Sequence, residues 1–163
     1  MSIFVTPYEV ISPGGGWLDP VGSWITFRNV QIPKYAIISS AKLRIFSQNG
    51  SNSDFSVQIT AHKNLNSEQN HSEYINPIDR TQSLVVWQIP DPWIGMFATP
   101  LEHLPDVTSI VQEIVGLNQW SIGSKIKFFI DFLMGGDGRP SISGYGSGNI
   151  VTSPKLEVTW TVL

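Results

Sequence analysis

Histidine is the residue type that could most directly carry acid–base or metal chemistry in this chain. The three histidines, His62, His71 and His103, are far apart and lack the spacing of a metal-binding motif. His62 ends a predicted strand, whereas His71 and His103 fall in polar segments. These placements favour a structural or solvent-exposed histidine over a metal ligand or a general base. We therefore predict no metal site and no bound cofactor.

Paired carboxylates across a cleft would indicate a glycosidase. Asp131 is predicted on the outward face of a strand, and other acidic residues fall in or beside loops: Asp91, Glu102, Asp106 and Asp137. Acidic loop residues occur in most soluble β-proteins, so these positions do not identify a catalytic pair. The glycine-rich run 135–138 favours a turn over a calcium site, which needs several carboxylates. Segment 144–148 lacks a nucleophile placed for a hydrolase elbow, and we predict that the protein is not an enzyme.

The six tryptophans offer binding rather than catalysis, since an indole ring can stack on a sugar or anchor a protein interface. Three lie in or beside predicted strands and are assigned to the core or to helix packing: Trp24, Trp120 and Trp160. The other three stand near turns rich in glycine or proline: Trp17, Trp87 and Trp93. For Trp87 burial under its own loop is favoured, whereas for Trp17 and Trp93 burial and a binding role both remain open.

Bulk composition narrows the function classes further. The chain has 163 residues, enough for one domain spanning residues 1–163, with 41% hydrophobic and 14% charged residues. Its ten Lys and Arg residues are scattered and the net charge is −3, which argues against nucleic-acid binding. It contains no cysteine, and no apolar run approaches the roughly 18 residues that a membrane span needs. The N-terminus lacks the features of a signal peptide, so we expect synthesis in the cytosol.

The positions of glycine and proline predict many short strands. The predicted strands are Ser23–Val30, Ile37–Ser47, Phe55–His62, Thr81–Gln88, Lys125–Leu133, Ser141–Tyr145 and Leu156–Leu163. The second and third are expected to form an antiparallel pair, because an Asn-Gly hairpin signal lies between them. Residues 63–79 and 89–104 are predicted to be long loops, the first of them polar and without apolar anchors.

One helix is predicted near residues 106–115. Val107, Ile110, Val111 and Ile114 recur at helical spacing, Asp106 can cap the first turn, and a glycine follows the last turn. A helix of about nine residues is not stable alone, so it must cover apolar surface at an open end of the β-structure. The predicted inward face comprises Phe27, Leu43, Ile45, Val57, Ile59, Ile110, Ile114, Ile126, Phe128, Ile130, Leu156, Val158 and Trp160.

The order of these elements resembles a known type of module. Residues 32–45 resemble the pattern Ile-Pro-x-Gly-Ala-x-Ile-x-Ser-Ala-x-Leu, with Tyr35 where the pattern usually has glycine. Residues 106–115 resemble Asp-Val-Thr-x-x-Val-Gln-Glu-Ile, and residues 120–124 resemble Trp-x-x-Gly-Asn. Residues 87–93 and 153–158 also match in order.

These patterns are similar to those of DNRLRE-type, carbohydrate-binding-like jelly-roll modules of bacterial surface and phage proteins. The resemblance covers residues 20–163, although the DNRLRE signature itself is absent. It implies an all-β fold, an antiparallel β-sandwich of jelly-roll type with one short helix. It also implies a place on a cell or virion surface, a capacity for glycan binding, and no shared catalytic residues.

Two functional hypotheses follow from the composition, the motifs and the resemblance. The first is a non-enzymatic structural or attachment protein of a phage virion, a capsid decoration or tail component. It would be made in the host cytoplasm and would act through contacts with its own copies or with other virion proteins. The second is a carbohydrate-binding module of an extracellular or cell-surface protein, which would use Trp17 and Trp93.

The apolar segment 89–104 is the predicted interface. Trp93, Met96 and Phe97 lie in it between prolines that limit its conformational freedom. The side chains of Met96 and Phe97 offer no hydrogen bonds to sugar hydroxyls. The segment therefore suits a protein partner better than a sugar.

Overall fold

In a computed structural model, the described residues form two antiparallel β-sheets and one short helix. The structure describes residues 1–5, 7–11, 23–49, 55–65, 79–89, 102–135, 141–142 and 153–162. The strands are β1 (Ser2–Val5), β2 (Pro7–Ile11), β3 (Ser23–Phe27), β4 (Ile37–Asn49), β5 (Phe55–Ala61), β6 (Val85–Ile89), β7 (Glu102–His103), β8 (Ile126–Gly135), β9 (Ser141–Ile142) and β10 (Lys155–Thr161). The helix α1 spans Thr108–Val115.

Each sheet has five strands among the described residues. The first follows the order β1-β10-β4-β7, with β9 also paired to β4, and the second follows the order β2-β3-β8-β5-β6. Every strand pairing among the described residues is antiparallel. The prediction of a β-rich protein with one short helix is confirmed.

The predicted pairing of the second and third strands is wrong. β4 pairs with β10, β7 and β9, whereas β5 pairs with β6 and β8, so the two lie in different sheets. Both strands bury one face, and alternation of polar and apolar residues cannot tell whether two such strands are neighbours or face each other across a core. The strands β1, β2 and β7 were not predicted, and β7 lies within the predicted loop 89–104.

The core lies where the two sheets and the helix contribute side chains to one cluster. All of the predicted inward residues are buried in it, including those of β4 and β10 from one sheet and of β3, β5 and β8 from the other. Phe27 and Phe128 meet edge to face, with 6.0 Å between ring centroids. Leu65 also belongs to this cluster, so the start of the predicted polar loop 63–79 does have an apolar anchor, contrary to expectation.

The second edge of β4 is closed by the chain that leads into α1. The amide of Leu43 donates to the carbonyl of Pro105 (3.0 Å), and the amide of Val107 donates to the carbonyl of Ala41 (2.9 Å). Side chains of the helix continue the closure, because the amide of Ala41 also donates to Thr108 Oγ1 at 2.8 Å. At this edge of β4, the helix and the chain before it therefore supply hydrogen bonds that a neighbouring strand would otherwise supply.

Gln112 completes the edge with its side-chain amide. Its Oε1 accepts from the amide of Ile38 at 2.8 Å, and its Nε2 donates to the carbonyl of Ala36 at 3.1 Å. One glutamine thus supplies the donor and the acceptor that a neighbouring strand would supply. Without such partners, backbone groups at the margin of a core carry a desolvation cost.

Asp106 acts at the start of the helix, although the residue at the N-cap position is Val107. Its Oδ1 accepts from the amide of Thr108 at 3.0 Å, and its Oδ2 accepts from Lys42 Nζ at 2.6 Å. The side chains of Lys42 and Thr108 lower the pKa of Asp106 to about 2. Gly116 ends the helix as predicted, with its amide donating to the carbonyl of Gln112.

The turn before β4 explains why the pattern that residues 32–45 resemble has glycine at the position of Tyr35. The amide of Ala36 donates to the carbonyl of Pro33, and Tyr35 within that turn has a φ of +59°. A residue with a side chain pays a conformational cost there that glycine avoids. Nearby, the buried Trp120 donates from Nε1 to the carbonyl of Ile32 at 3.0 Å, so this tryptophan has the structural role predicted for it.

Truncation of a core aromatic tests this packing. Phe128→Ala is expected to lower the free energy of unfolding by about 3–5 kcal/mol, through lost burial and a residual cavity. Chemical denaturation measures the change, with Leu133→Ala as the control because Leu133 is exposed on the same strand. A loss below about 1 kcal/mol for Phe128→Ala would contradict the observed strand faces.

The edge closure by Gln112 can be tested separately. Gln112→Ala is expected to cost about 1–3 kcal/mol, because it leaves the amide of Ile38 and the carbonyl of Ala36 without their partner. Gln119→Ala is the matched control, since Gln119 is exposed and bonds only the carbonyl of Lys63 among the described contacts. Equal effects of the two substitutions on the unfolding midpoint in urea would refute the closure.

Candidate functional site

β6 is an edge strand with apolar side chains in solvent. Within the described sheet it pairs only with β5, where Val86 lies opposite Gln58. Leu84, just before the strand, is 50% exposed and Val86 is 57% exposed, whereas Val85 and Trp87 pack against the core. Residues 81–89 contain no charged residue and no proline. A short uncharged segment with β-branched side chains at a sheet edge is a template for pairing with another strand.

Other edges of the two sheets carry features that discourage such pairing. The sequence of β2 includes Pro7 and Glu9 and its register shifts between them, while β7 has only two residues, one of them Glu102. Prolines, charges, bulges and short length are the usual means of protecting an edge strand. β1 is also uncharged but has only four residues. Among the described edges, β6 combines the absence of protection with exposed apolar side chains.

The helix fixes the start of β6. Glu113 accepts from the amide of Gln82 through Oε1 (2.9 Å) and from the amide of Ser83 through Oε2 (2.7 Å). Burial alone would raise the pKa of Glu113, but the hydrogen bonds from Ser83 and Gln82 outweigh it and lower that pKa. Thr81 ties the same segment to β5, because its amide donates to the carbonyl of Ala61. The edge is therefore held in place before any partner arrives.

At its C-terminal end, β6 leads into the predicted interface segment, residues 89–104. Trp87 of β6 and His103 of β7 belong to different sheets, and their rings meet at a centroid distance of 5.6 Å. The chain leaves β6 at Ile89 and returns in β7 at Glu102, so this contact joins the two described ends of the segment. Burial lowers the pKa of His103 to about 4. The sequence placed His103 in a polar loop, whereas the structure makes it part of a strand beside an aromatic ring.

The predicted binding residues Trp17, Trp93, Met96 and Phe97 lie outside the described residues. Trp87 is partly buried against the core, in agreement with the structural role favoured for it. The assignment of three further tryptophans to buried positions is confirmed for Trp24, Trp120 and Trp160. Trp24, however, is not a member of the central cluster and pairs across strands with Phe129.

Titratable side chains meet on the face of the second sheet that points away from the central cluster. Arg80 forms an ion pair with Asp131, donates to Thr60 Oγ1, and places its guanidinium 4.3 Å from the centre of the Phe129 ring. His62 meets the same ring edge-on, and its Nε2 is 4.0 Å from Asp79 Oδ2. The sequence did not predict this grouping, because residues 62, 79–80 and 131 are far apart in the chain.

The side chains of this grouping contact one another and form a network on this face of the sheet. His62 is only 3% exposed, so its ring has little surface to offer a substrate. Asp131 is paired with Arg80 in a partly buried position, and an arginine–carboxylate pair of this kind orders its neighbours. A general acid or base must reach the proton that it transfers. Two other residues considered in the sequence analysis, His71 and Asp137, lie outside the described residues.

Two further features bear on the function classes. In the described parts of the chain, no group of three His, Asp or Glu side chains is placed to hold a metal ion. No helix within those parts has the length and apolar character required to cross a membrane.

Comparisons with known proteins leave the family open. No protein-family model matches the chain, and a search of curated proteins found no similar sequence. The resemblance to jelly-roll modules therefore stays a prediction.

The exposed edge could have been suspected from the sequence. The run from Thr81 to Ile89 is uncharged and rich in residues that favour strands, which is a known signal for strand association. The missing information was the position of this strand in its sheet. A central strand and an edge strand can have the same pattern.

The pH dependence of stability should report on the contact between Trp87 and His103. His103 has a pKa of about 4 in the folded protein and of about 6.5 when unfolded, so the unfolded chain binds more protons between these values. The contribution of His103 to stability is complete above pH 6.5 and is lost as the pH falls to 4. His103→Gln is expected to flatten the fall in unfolding free energy between pH 6.5 and 4.5.

Asp106→Asn serves as the control for that measurement. The pKa of Asp106 is lowered to about 2 from 3.8, so its contribution is lost only below about pH 4. Its substitution should leave the slope between pH 6.5 and 4.5 unchanged. An unchanged slope in His103→Gln would mean that the imidazole is not buried beside Trp87.

Proposed function

We propose that this protein is a non-enzymatic structural protein that works by assembly, and that its copies associate through β6. The observation that carries the proposal is the uncharged edge strand with Leu84 and Val86 exposed. Exposed apolar side chains on a strand at the edge of the described sheet gain from burial, and addition of a second strand also brings backbone hydrogen bonds. The hypothesis of a protein–protein contact is therefore supported by described residues. It does not depend on the predicted binding residues that lie outside the described parts of the chain.

The proposed partner is a second copy of the chain. A twofold axis would bring β6 antiparallel to itself, so that each residue of one copy meets a residue of the same strand in the other. Because residues 81–89 carry no charge, this pairing brings no like charges together. Glu113 and Thr81 already hold the start of the strand, so pairing would order few further residues.

The finer architecture proposed is a two-sheet sandwich of jelly-roll type. Its support is the single hydrophobic cluster to which both five-stranded antiparallel sheets contribute inward side chains. Separation of β4 and β5 into different sheets also suits a sandwich, in which consecutive strands often cross from one sheet to the other. The proposal includes no catalytic role for this grouping, because His62 is only 3% exposed and Asp131 forms an ion pair with Arg80.

The setting proposed for this assembly is a phage virion, as a capsid decoration or tail component. Its support is the sequence resemblance together with a surface poor in charge, since only 14% of the residues are charged. Neighbouring genes for capsid or tail proteins would support this setting, and a genomic context of secreted polysaccharide-degrading enzymes would contradict it. The alternative, a carbohydrate-binding module, depends on Trp17 and Trp93. Both tryptophans lie outside the described residues.

Sedimentation velocity over a range of concentrations tests the assembly. The protein is expected to form dimers or larger species, and Val86→Lys should weaken association at least about tenfold, because a lysine on an edge strand opposes pairing. Val162→Lys is the matched control, since Val162 is 64% exposed and lies beyond β10 in the other sheet. Thermal unfolding of both variants establishes that they are folded.

Two outcomes would overturn the proposal. One is a strictly monomeric protein at every concentration, and the other is an equal loss of association in Val86→Lys and Val162→Lys.

A further inference from the structure

The direction of the backbone groups of β6 follows from the hydrogen bonds of its neighbour β5. The amide of His62, just after β5, donates to the carbonyl of Lys127 at 2.9 Å, so His62 bonds towards β8. The amide of Thr81 donates to the carbonyl of Ala61 at 2.8 Å, so Ala61 bonds towards the segment that leads into β6. Successive residues of a strand direct their backbone groups to opposite sides. The odd-numbered residues of β5 therefore bond towards β6, and the even-numbered residues bond towards β8.

The even-numbered residues of β6 consequently direct their backbone groups away from β5. Val85 lies opposite Ile59, and odd-numbered residues of the two strands continue to meet along the ladder without a register shift. We call Leu84, Val86 and Gln88 the outer row. Their N–H and C=O groups point towards the edge of the described sheet, and all three side chains are exposed.

Glu113 sets the first limit of the outer row. Its carboxylate accepts from the amides of Gln82 (2.9 Å) and Ser83 (2.7 Å), and the chain bends at Gln82. A partner strand that extended past Leu84 would find the amide of Gln82 already bonded to the helix. The helix thus marks the point at which regular pairing along this edge must stop.

The amino-acid sequence sets the second limit. Pro90 is the next even-numbered residue after Gln88, and proline has no N–H group to donate. The outer row is therefore bounded at both ends, and Val86 is its middle residue. A row of three residues that is closed at both ends is symmetric about its centre.

A twofold axis at Val86 uses the whole outer row. Val86 then lies opposite Val86 of the second copy, and Leu84 of each copy lies opposite Gln88 of the other. Each of these three pairs can exchange both of its N–H···O bonds. The two Val86 side chains meet directly, and each Leu84 is a diagonal neighbour of Val86 in the second copy, within reach of apolar contact.

Other positions of the axis use less of the row. An axis at Val85 leaves two complete pairs, because the remaining partner of Gln88 is Gln82, whose amide is bonded to Glu113. An axis at Trp87 also leaves two complete pairs, because Leu84 would meet residue 90, which has no N–H group. An axis between two residues would set an outward residue opposite one that is bonded to β5.

We propose that two copies pair through β6 with the twofold axis at Val86, and that Glu113 determines this register. The inference rests on the proposed assembly through β6 and specifies which residues meet in it. Glu113 is a positioning residue, because it acts on the amides of Gln82 and Ser83 and not on the second copy. A charged residue opposite Val86 would be disfavoured, so the same contact also limits which strands can replace the second copy.

Charge complementation maps the register. Sedimentation velocity would compare Val86→Lys alone, Val86→Glu alone and their equimolar mixture. The mixture is expected to associate at least about tenfold more tightly than either variant alone, because opposite charges meet at the axis. Leu84→Lys mixed with Gln88→Glu should gain in the same way. Leu84→Lys mixed with Val86→Glu, which would pair around an axis at Val85, should gain less.

Cysteine cross-linking gives an independent measure, since the chain has no cysteine of its own. Residues directly opposite in a hydrogen-bonded pair have Cα atoms about 5.5 Å apart, within the range of a disulfide. Val86→Cys is therefore expected to form a disulfide-linked dimer under mild oxidation. The two copies of Leu84→Cys would be separated by roughly 13 Å along the strands and should not cross-link. Val162→Cys is the control for random collision, because Val162 is 64% exposed beyond β10.

The role of Glu113 is tested by the register and not by stability alone. Glu113→Ala releases the amide of Gln82, which makes an axis at Val85 available. In this background the cross-link between Leu84→Cys and Val86→Cys is expected to rise at least about threefold relative to the cross-link of Val86→Cys with itself. Ser109→Ala, an exposed position on the same helix, is the control. Glu113→Gln, which keeps one acceptor oxygen, provides the test if thermal unfolding shows that Glu113→Ala is not folded.

The outcomes separate this inference from the assembly on which it rests. Dimers of the unsubstituted protein, combined with equal cross-linking of Val86→Cys and Val162→Cys, would overturn the register and leave assembly in place. A gain for Leu84→Lys with Val86→Glu that equals the gain for Val86→Lys with Val86→Glu would also overturn it. An unchanged cross-link ratio in the Glu113 variant would refute the role of Glu113. Absence of dimers at every concentration would overturn both proposals.

Discussion

The closure of the second edge of β4 by α1 is the interaction on which the described arrangement depends. β10 pairs with residues 37–44 on one side of this strand. On the other side, the chain before the helix and the side chains of Thr108 and Gln112 supply the missing hydrogen bonds. Because these bonds fix the helix against the strand, Ile110 and Ile114 are placed in the core. Glu113 on the same helix then reaches the start of β6 in the other sheet. A few side chains of one short helix thus connect the edge of one sheet to the edge of the other.

This connection determines which edge is left for a partner. β4 cannot accept another strand beside Ala41 or Ile38, because helix side chains occupy those positions. β2 contains a proline, a glutamate and a register shift, each of which disfavours further pairing. β6 is fixed at its start by Glu113 and near its end by the Trp87 and His103 contact, yet its apolar outer side chains face solvent. A strand that is rigid, uncharged and exposed can associate at a small entropic cost, which is the physical basis of the assembly proposed here.

The sequence predicted what depends on local periodicity and missed what depends on long-range pairing. Alternation along β8 and β10 and the helical spacing of Val107, Ile110 and Ile114 identified residues of the central cluster, but alternation missed the burial of Lys127 and Phe129 on the other face of β8. The same alternation could not show that β4 and β5 belong to different sheets, since each buries one face in either arrangement. The acidic and basic groups around Phe129 come from residues 62, 79–80 and 131, and no local signal brings them together. The positive φ of Tyr35 was marked in the sequence only by a glycine in the pattern that the chain resembles.

The distribution of charge bears on the proposed assembly. A chain with only ten Lys and Arg residues and a net charge of −3 has few cations to place. Two of them form ion pairs, Lys42 with Asp106 and Arg80 with Asp131. The strand proposed for assembly has no charged residue, so self-pairing would place no like charges opposite each other. Charge repulsion therefore does not oppose the proposed association of two identical copies along this strand.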